Sequence, residues 1–189
     1  MKFIQVIKNK DINVSFDDLI YHSNAFEDIK TLAEQIKEGS VNKVLIEGKA
    51  GCGKGLAIKA VTYEAGFNII EINHGELLSP YCGVEAQRIR QLFKQAKKKA
   101  PCVLVLDDIS YCFTVESKEN ETVVESLLNE MPEFKNIKLP ENGIDAFLDE
   151  MSKLQLKDKV VVIATTTDIK YLNDKITECF GEKIEIKRG

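Results

Sequence analysis

The sequence predicts an α/β fold, a three-layer αβα sandwich around a central parallel sheet of five strands. Segments with strand character alternate with segments of helical periodicity along the 189 residues, as in chains built from β-α-β units. Two of the strand segments, Cys102–Leu106 and Val160–Ala164, are apolar throughout, which is typical of strands buried on both faces of a parallel sheet. A third, Val44–Ile46, runs directly into a glycine-rich turn and a helix.

That third strand begins the segment Val44–Leu56, VLIEGKAGCGKGL, which has the strand, glycine loop and helix of a phosphate-binding P-loop. Glycines allow the loop to turn its N–H groups inward, and the following helix presents its positive end to the same anion. Lys54 would reach the terminal phosphates, but Gly55 stands where the motif has a Ser or Thr hydroxyl that binds Mg²⁺. The predicted phosphate-binding residues are Gly48, Ala50, Gly51, Cys52, Gly53, Lys54, Gly55 and Leu56.

Periodicity and turn residues place the remaining elements. We expect a single domain over residues 1–189, with a leading segment and first helix in 1–40 and the P-loop core in 41–189. Pro101 and the glycines that follow two helices define several of the boundaries. The predicted elements are an edge strand over 2–7, an extended segment Val14–Ile20, strands 67–72 and 183–187, and helices Asn24–Lys37, Leu56–Ala65, Glu85–Lys99, Thr122–Met131, Ile144–Leu154 and Ile169–Cys179.

Composition and charge argue against several classes of function. A net charge of −4 provides no electropositive surface for nucleic acid or an anionic membrane. We expect no signal peptide and no membrane insertion, because the apolar runs are too short to cross a bilayer. The five cysteines lack C-x-x-C spacing and neither His22 nor His74 has a ligand-spaced neighbour, which argues against zinc. Unpaired, widely spaced thiols suggest a cytoplasmic protein.

An acidic pair, Asp107 and Asp108, follows the apolar strand downstream of the P-loop. In P-loop enzymes the first acid after such a strand holds Mg²⁺ and the second polarises the attacking water. Asp107 is therefore the predicted metal ligand, and both aspartates are candidate catalytic residues. On its own the pair would indicate no more than a capped loop, since an apolar run ending in aspartate is common. The P-loop upstream favours the other interpretation, in which the two aspartates belong to a nucleotide site.

Further segments resemble the AAA family of ring-forming ATPases. Val14–Ile20, VSFDDLI, resembles the family's VTFDDI segment, and residues 75–83, GELLSPYCG, resemble its pore loop. Arg88–Phe93 matches the helix that follows the pore loop, and Val160–Thr167, VVVIATTT, stands where the family has its sensor strand I-A-A-T-N. The resemblance implies a P-loop NTPase fold, ATP or ADP with Mg²⁺ as cofactors, and other AAA subunits and protein substrates or adaptors as partners.

Within the family, three features resemble the second AAA domain of N-ethylmaleimide-sensitive fusion factor, with peroxisomal AAA proteins next. They are Val44–Gly48, Asp107–Ile109 and the threonine run, although residues 48–51 lack the usual double proline. That domain's role implies ATP binding that holds a hexamer together rather than rapid turnover. The family's last core strand is followed by a helical lid, which we expect to be absent because the chain stops at Gly189.

Three positions and one segment depart from the family's catalytic pattern. Gly55 lacks the hydroxyl, and Asp108 replaces a glutamate, so its carboxylate is one methylene short of the lytic water. Thr167, the candidate sensor residue, replaces an asparagine and has less reach. Cys179–Glu182, CFGE, replaces a segment with paired arginine fingers, which contribute a factor of about 10³–10⁵ to the rate. We therefore expect an ATP-binding domain with weak or lost hydrolysis, serving nucleotide-dependent assembly.

Two alternatives stay open on the sequence. An active AAA motor that unfolds or disassembles protein complexes would use Asp108 as a shorter water-positioning acid. A scaffold on the same fold would bind no nucleotide and would contact partners alone. Tyr81 in the pore-loop segment is expected to grip a translocating polypeptide, or equally to anchor its own loop.

Overall fold

The computed structural model describes residues 4–19, 25–72, 83–113 and 141–187, which form an α/β fold around one sheet. The strands in these ranges are β1 (Ile4–Ile7), β2 (Lys43–Glu47), β3 (Asn68–Ile72), β4 (Cys102–Leu106), β5 (Val160–Thr166) and β6 (Glu182–Glu185). Their order is β1-β3-β4-β5-β2-β6. Strands β2 to β6 run parallel, as the sequence predicts, and β1 adds a sixth, antiparallel strand at the edge beside β3.

Helices cover both faces of the sheet. The described helices are α1 (Phe26–Glu38), α2 (Lys54–Ala65), α3 (Val84–Lys98), α4 (Gly143–Lys153) and α5 (Asp174–Glu178). One apolar cluster joins α1 and α2 to one face of the sheet, and a second joins α3, α4 and α5 to the other. This is the predicted αβα sandwich. None of the helices in the described ranges is long and apolar enough to cross a membrane.

The two apolar strands predicted for the middle of the sheet are buried along their whole length. Every residue of β4 and β5 is buried, because helices pack on both faces and a parallel neighbour lies on each side. Beside them, Phe147 of α4 packs against Phe93, Phe113 and Phe180, with ring centroids 5.9, 5.0 and 6.4 Å away. Phe113 and Phe180 lie on the segments after β4 and before β6, so this cluster fixes loops at both ends of the sheet.

Two predicted elements differ in the structure. The segment predicted to be extended over 14–20 instead contains a 3-10 turn at Phe16–Asp18, because Ser15 and Asp18 form a capping box, with the Ser15 N–H donating to Asp18 Oδ2 at 2.8 Å. The last predicted helix is split into a 3-10 turn, Ile169–Tyr171, and the short helix α5.

Side chains that bond to the local backbone cause the split. The carboxylate of Asp168 accepts the N–H of Lys170 at 2.9 Å, and the amide oxygen of Asn173 accepts that of Lys175 at 3.0 Å. Each bond starts a new turn and competes with a continuous helix. The predicted helix Thr122–Met131 lies outside the described residues, and the other helix ends agree with prediction within about two residues, the usual uncertainty of such boundaries.

Candidate functional site

The P-loop, the acidic pair and the threonine run come together at the carboxyl edge of the sheet. Strand β5 lies between β2 and β4, with Glu47 opposite Thr166 and Leu106 opposite Ala164. The next residues of the three strands are therefore neighbours at one edge, where ligands bind in open parallel sheets. The structure thus brings together the segments that carry Gly48, Asp107 and Thr167.

The glycines of the P-loop satisfy tight local requirements. A Cβ on Gly48 would lie 2.6 Å from Cys52 Sγ and 2.6 Å from the carbonyl oxygen of Ile186, so no side chain fits there. Gly51 and Gly53 have φ values of +76° and +96°, which disfavour other residues. The Gly48 N–H donates to Thr166 O at 3.0 Å and joins the loop to β5. Ala50 lies exposed and Cys52 buried within the same loop.

Helix α2 begins at Lys54, and its amino end is free of competing acid. Gly53 occupies the N-cap position without a side chain, and no acidic residue lies in the first turn. The first N–H groups of a helix lack partners within the helix and carry the positive end of its dipole. This terminus is therefore suited to bind an anion that also contacts the P-loop.

Lys54 lies over the P-loop that precedes it. Its Nζ donates to the carbonyl oxygens of Gly48 at 2.5 Å and Lys49 at 3.2 Å. The ammonium group is thereby held at the loop, next to the helix terminus, where it adds a full positive charge. Gly55 follows in a different environment, because a Cβ built on it would meet nothing within 4 Å. A Ser or Thr hydroxyl is absent there although space exists for it. Leu56, in the first turn, is 37% exposed.

The acidic pair is organised by Thr165, a residue that the sequence did not single out. Its hydroxyl donates to Asp107 Oδ1 at 2.7 Å and accepts from the Asp108 N–H at 2.8 Å. Thr165 is fully buried, whereas Asp107 is exposed. A buried hydroxyl at the end of a strand needs polar partners. The threonine run at the end of β5 was the available signal for this residue, although it could not identify the partners.

Asp108 adopts a strained backbone and has a local partner. Its φ of +49° lies in the left-handed region, which is uncommon for residues other than glycine. Its Oδ1 accepts from the hydroxyl of Ser110 at 2.6 Å. The second acid is therefore engaged within its own turn, while the Asp107 carboxylate is held by Thr165.

Thr167 lies beside the P-loop. It is exposed and lines a cleft of about 510 Å³ together with Gly48, Lys49 and residues of the segments after β5 and at the end of β6. The cleft has a mixed charge. Its charged residues are Glu47, Lys49, Asp168, Lys170, Glu185 and Lys187.

The segment Cys179–Glu182 lies at the opposite end of the sheet. Glu182 begins β6 and pairs with Val44 near the start of β2, whereas the P-loop follows the end of β2. Its side chain lines a groove next to α1 and is half-buried. Cys179 Sγ donates to the Ile176 carbonyl at 2.9 Å. The segment is thus remote from this chain's own P-loop.

The described cysteines are unpaired, and desolvation favours the neutral thiol at three of them. Desolvation raises the pKa of Cys102 to about 12 and those of Cys112 and Cys179 to about 11. In the part of the chain that the structure describes, no three His, Cys, Asp or Glu side chains cluster closely enough to hold a metal ion. Tyr81, like His22 and His74, lies outside the described residues, so its predicted role stays a prediction.

Comparison with known proteins agrees with this arrangement. Residues 44–188 match the family described as "ATPase family associated with various cellular activities (AAA)". The chain is 44% identical to cell division control protein 48 homolog C of Arabidopsis thaliana over 86 residues, 46% of this chain and 10% of that protein. It is 30% identical to nuclear valosin-containing protein-like of Mus musculus over 128 residues, 68% of this chain and 13% of that protein.

A third relative is the ATP-dependent zinc metalloprotease FtsH of Lancefieldella parvula, 31% identical over 147 residues. That match covers 70% of this chain and 23% of the relative. The chain therefore spans between 10% and 23% of the length of these three proteins. The resemblance to the second AAA domain of N-ethylmaleimide-sensitive fusion factor stays a prediction.

Proposed function

Because the chain belongs to the AAA family of ATPases, we propose that it binds ATP or ADP at its P-loop, hydrolyses ATP slowly or not at all, and serves nucleotide-dependent assembly of a ring. The observation that carries the proposal is the contrast between Gly48 and Lys54 on one side and Gly55 on the other. Gly48 sits in a cradle too tight for a Cβ, and Lys54 lies over it, whereas Gly55 has open space and no hydroxyl. The phosphate-binding features are retained and a metal-binding feature is missing.

Family members bind ATP or ADP with Mg²⁺. The residues of this chain suit the nucleotide phosphates better than they suit the metal ion. The α2 terminus, the P-loop N–H groups and Lys54 would hold the phosphates. Asp107, anchored by Thr165, would hold Mg²⁺, which neutralises charge on the β- and γ-phosphates when bound. Gly55 adds no oxygen ligand, so the metal site is weakened. Nucleotide binding should consequently depend less on Mg²⁺ than in a P-loop with a hydroxyl.

Two features support slow turnover. Asp108 is one methylene shorter than the glutamate that usually orients the attacking water, and Ser110 already donates to its carboxylate at 2.6 Å. Cys179–Glu182 contains no arginine, and Glu182 would present a negative charge to a neighbouring subunit's γ-phosphate. Phosphoryl transfer needs the opposite charge there. In a ring of identical subunits this defect would recur at every interface.

Relatives in the family generally form oligomeric rings that act on protein substrates. We extend this to the present chain, with other AAA subunits and protein substrates or adaptors as partners and the cytoplasm as its location. We also propose that residues 1–189 form one AAA core. Rapid turnover in an active motor and a nucleotide-free scaffold are the two alternatives that experiment must exclude.

A thermal-shift titration with ATP and ADP, with and without Mg²⁺, tests the proposal. Ligand at about 100 times its dissociation constant should stabilise the fold by roughly 2.7 kcal/mol. Lys54→Ala is the control, since it removes the phosphate-binding charge and should abolish most of the shift. No shift with either nucleotide would favour the scaffold. A steady-state ATPase rate of about 1 s⁻¹ or more, in the usual range of enzymes, would favour the motor.

A further inference from the structure

The side chain of Glu47 joins the end of β2 to the loop that follows β5. Its Oε1 accepts from the backbone N–H of Ile169 at 3.0 Å. Glu47 directly precedes Gly48 of the P-loop, and Ile169 lies two residues after Thr167. We call residues 167–171 the sensor loop. One carboxylate oxygen therefore connects the base of the P-loop with the loop that carries the candidate sensor residue.

Two other side-chain hydrogen bonds at the sensor loop join residues only two positions apart. Thr166 Oγ1 donates to the carbonyl oxygen of Asp168 at 3.1 Å, and Asp168 Oδ1 accepts from the Lys170 N–H at 2.9 Å. These local bonds shape the turn without reaching another strand. The backbone bond from Gly48 to Thr166 fixes the end of β5 but not the residues beyond it. The Glu47 side chain is what reaches across from β2.

The charge of Glu47 is unfavourable for the ligand that we propose. It lines the cleft shared by Gly48, Lys49 and Thr167, and a carboxylate beside a phosphate-binding loop repels the anion. A charge-assisted bond to a backbone N–H is stronger than a neutral one and can offset this repulsion. The position of Glu47 is therefore better explained by the bond to the sensor loop than by direct ligand contact.

We propose that Glu47 is a positioning residue, which holds the sensor loop so that Thr167 meets the terminal phosphate of ATP. The inference rests on the proposed nucleotide binding. ADP lacks the phosphate in question, so Glu47 should affect the ratio of ATP to ADP affinity more than the affinity for ADP. It should act through Thr167, since its own side chain is committed to Ile169.

Calorimetric titration of the full chain with Mg²⁺-free and Mg²⁺-bound ADP and a non-hydrolysable ATP analogue measures this ratio. Glu47→Ala should lower the relative affinity for the ATP analogue about tenfold, the effect of one hydrogen bond to a charged group. Thr167→Ala should cause the same loss, and the double variant should lose no more than either single one. Glu47→Gln keeps an acceptor oxygen and should stay within about a factor of two of the wild-type ratio.

Glu185→Ala is the control for charge, because it removes from the same cleft a carboxylate that pairs with Lys187, whereas the Ile169 N–H bonds to Glu47. It should not lower the ratio. Ile169→Pro removes the bond from the other side and serves if Glu47→Ala fails to fold. Proline suits the first position of a turn, and Asp168 before it already has an extended φ of −155°. Ile169→Pro should reproduce the loss of Glu47→Ala.

The outcomes separate the inference from the function on which it rests. An unchanged ratio in Glu47→Ala or Ile169→Pro, or additive losses in the double variant, would overturn the role of Glu47 while ADP still binds. A loss in Glu47→Gln equal to that in Glu47→Ala would also overturn it, since charge rather than the bond would be responsible. Failure of the wild-type chain to bind ADP at all would instead overturn the proposed function.

Discussion

The hydroxyl of Thr165 bonds directly to the carboxylate of Asp107, with 2.7 Å between Thr165 Oγ1 and Asp107 Oδ1. The same oxygen accepts from the Asp108 N–H at 2.8 Å. One buried hydroxyl thus fixes the orientation of the first acid and supports the left-handed backbone of the second. Strand β5 therefore contributes to the candidate metal site through a residue that need not touch the ligand.

Thr165→Val should destabilise the fold and loosen the acidic pair. The substitution keeps the shape of the side chain but leaves the half-buried Asp108 N–H without its partner, which costs about 1 kcal/mol. Urea unfolding measures the loss of stability, and Mg²⁺ titration of nucleotide binding measures the effect on Asp107. Thr165→Ser keeps the hydroxyl and should preserve the metal dependence. Wild-type stability in Thr165→Val would contradict this account of the pair.

Reversing two of the departures from the family pattern, at Gly55 and Asp108, should make ATP binding depend more strongly on Mg²⁺. Gly55→Thr combined with Asp108→Glu should strengthen Mg²⁺-dependent ATP binding, because a hydroxyl is returned at a position with open space and the second acid is lengthened. Calorimetry with and without Mg²⁺ is the measurement.

Gly55→Ala provides the matched control for this pair of changes. It removes the helix penalty of glycine, about 0.5–1 kcal/mol, without adding a ligand oxygen. The control should therefore raise the melting temperature and leave the Mg²⁺ dependence unchanged. An unchanged ATP affinity in the double variant would mean that the site is impaired elsewhere.

Local sequence patterns were sufficient to locate the strands, the P-loop segment and the acidic pair along the chain, because each pattern depends on neighbours a few residues apart. The bonds made by Thr165 and Glu47 span 58 and 122 positions, and they depend on which strands are adjacent and in what register. Periodicity carries no such information. The helix predicted over 169–179 was wrong for a local reason, since Asn173 has apolar neighbours at helical spacing but its amide starts a new turn.

Phe147→Ala should be among the most destabilising substitutions in the described core. Phe147 is 2% exposed and contacts three other aromatic rings, so its removal leaves a cavity as well as unpaired ring surfaces. Loss of such a side chain costs about 3–5 kcal/mol. Urea unfolding checks the value, and Phe147→Leu should lose clearly less. A loss below about 1 kcal/mol, the typical effect of an ordinary substitution, would contradict the described packing.

A cluster of ion pairs joins α3 to α4 and to the residue Glu141 just before α4. Arg90 of α3 contacts Glu141 at 2.5 Å, Asp149 at 2.7 Å and Glu150 at 2.9 Å. Two neighbours hold the pKa of the Asp149 carboxyl below its usual 3.8. The larger effect comes from Lys153, whose ammonium group bonds to Asp149, and the next from Arg90. Because this pKa is lower in the folded state, the contribution to stability is present above pH 3.8 and is lost as the pH falls through the folded value.

Arg90→Gln should therefore lower the urea midpoint at pH 7, and the difference from wild type should shrink as the pH falls below 3.8 towards the lowered pKa of Asp149 in the folded state. The effect should be small and should weaken in 1 M salt, since the groups are exposed to solvent. Lys94→Gln, which removes an exposed positive charge from the same helix, controls for net charge. Equal shifts of the urea midpoint in the two variants would mean that the cluster does not bind α3 to α4. A difference between Arg90→Gln and wild type that is independent of pH would mean the same.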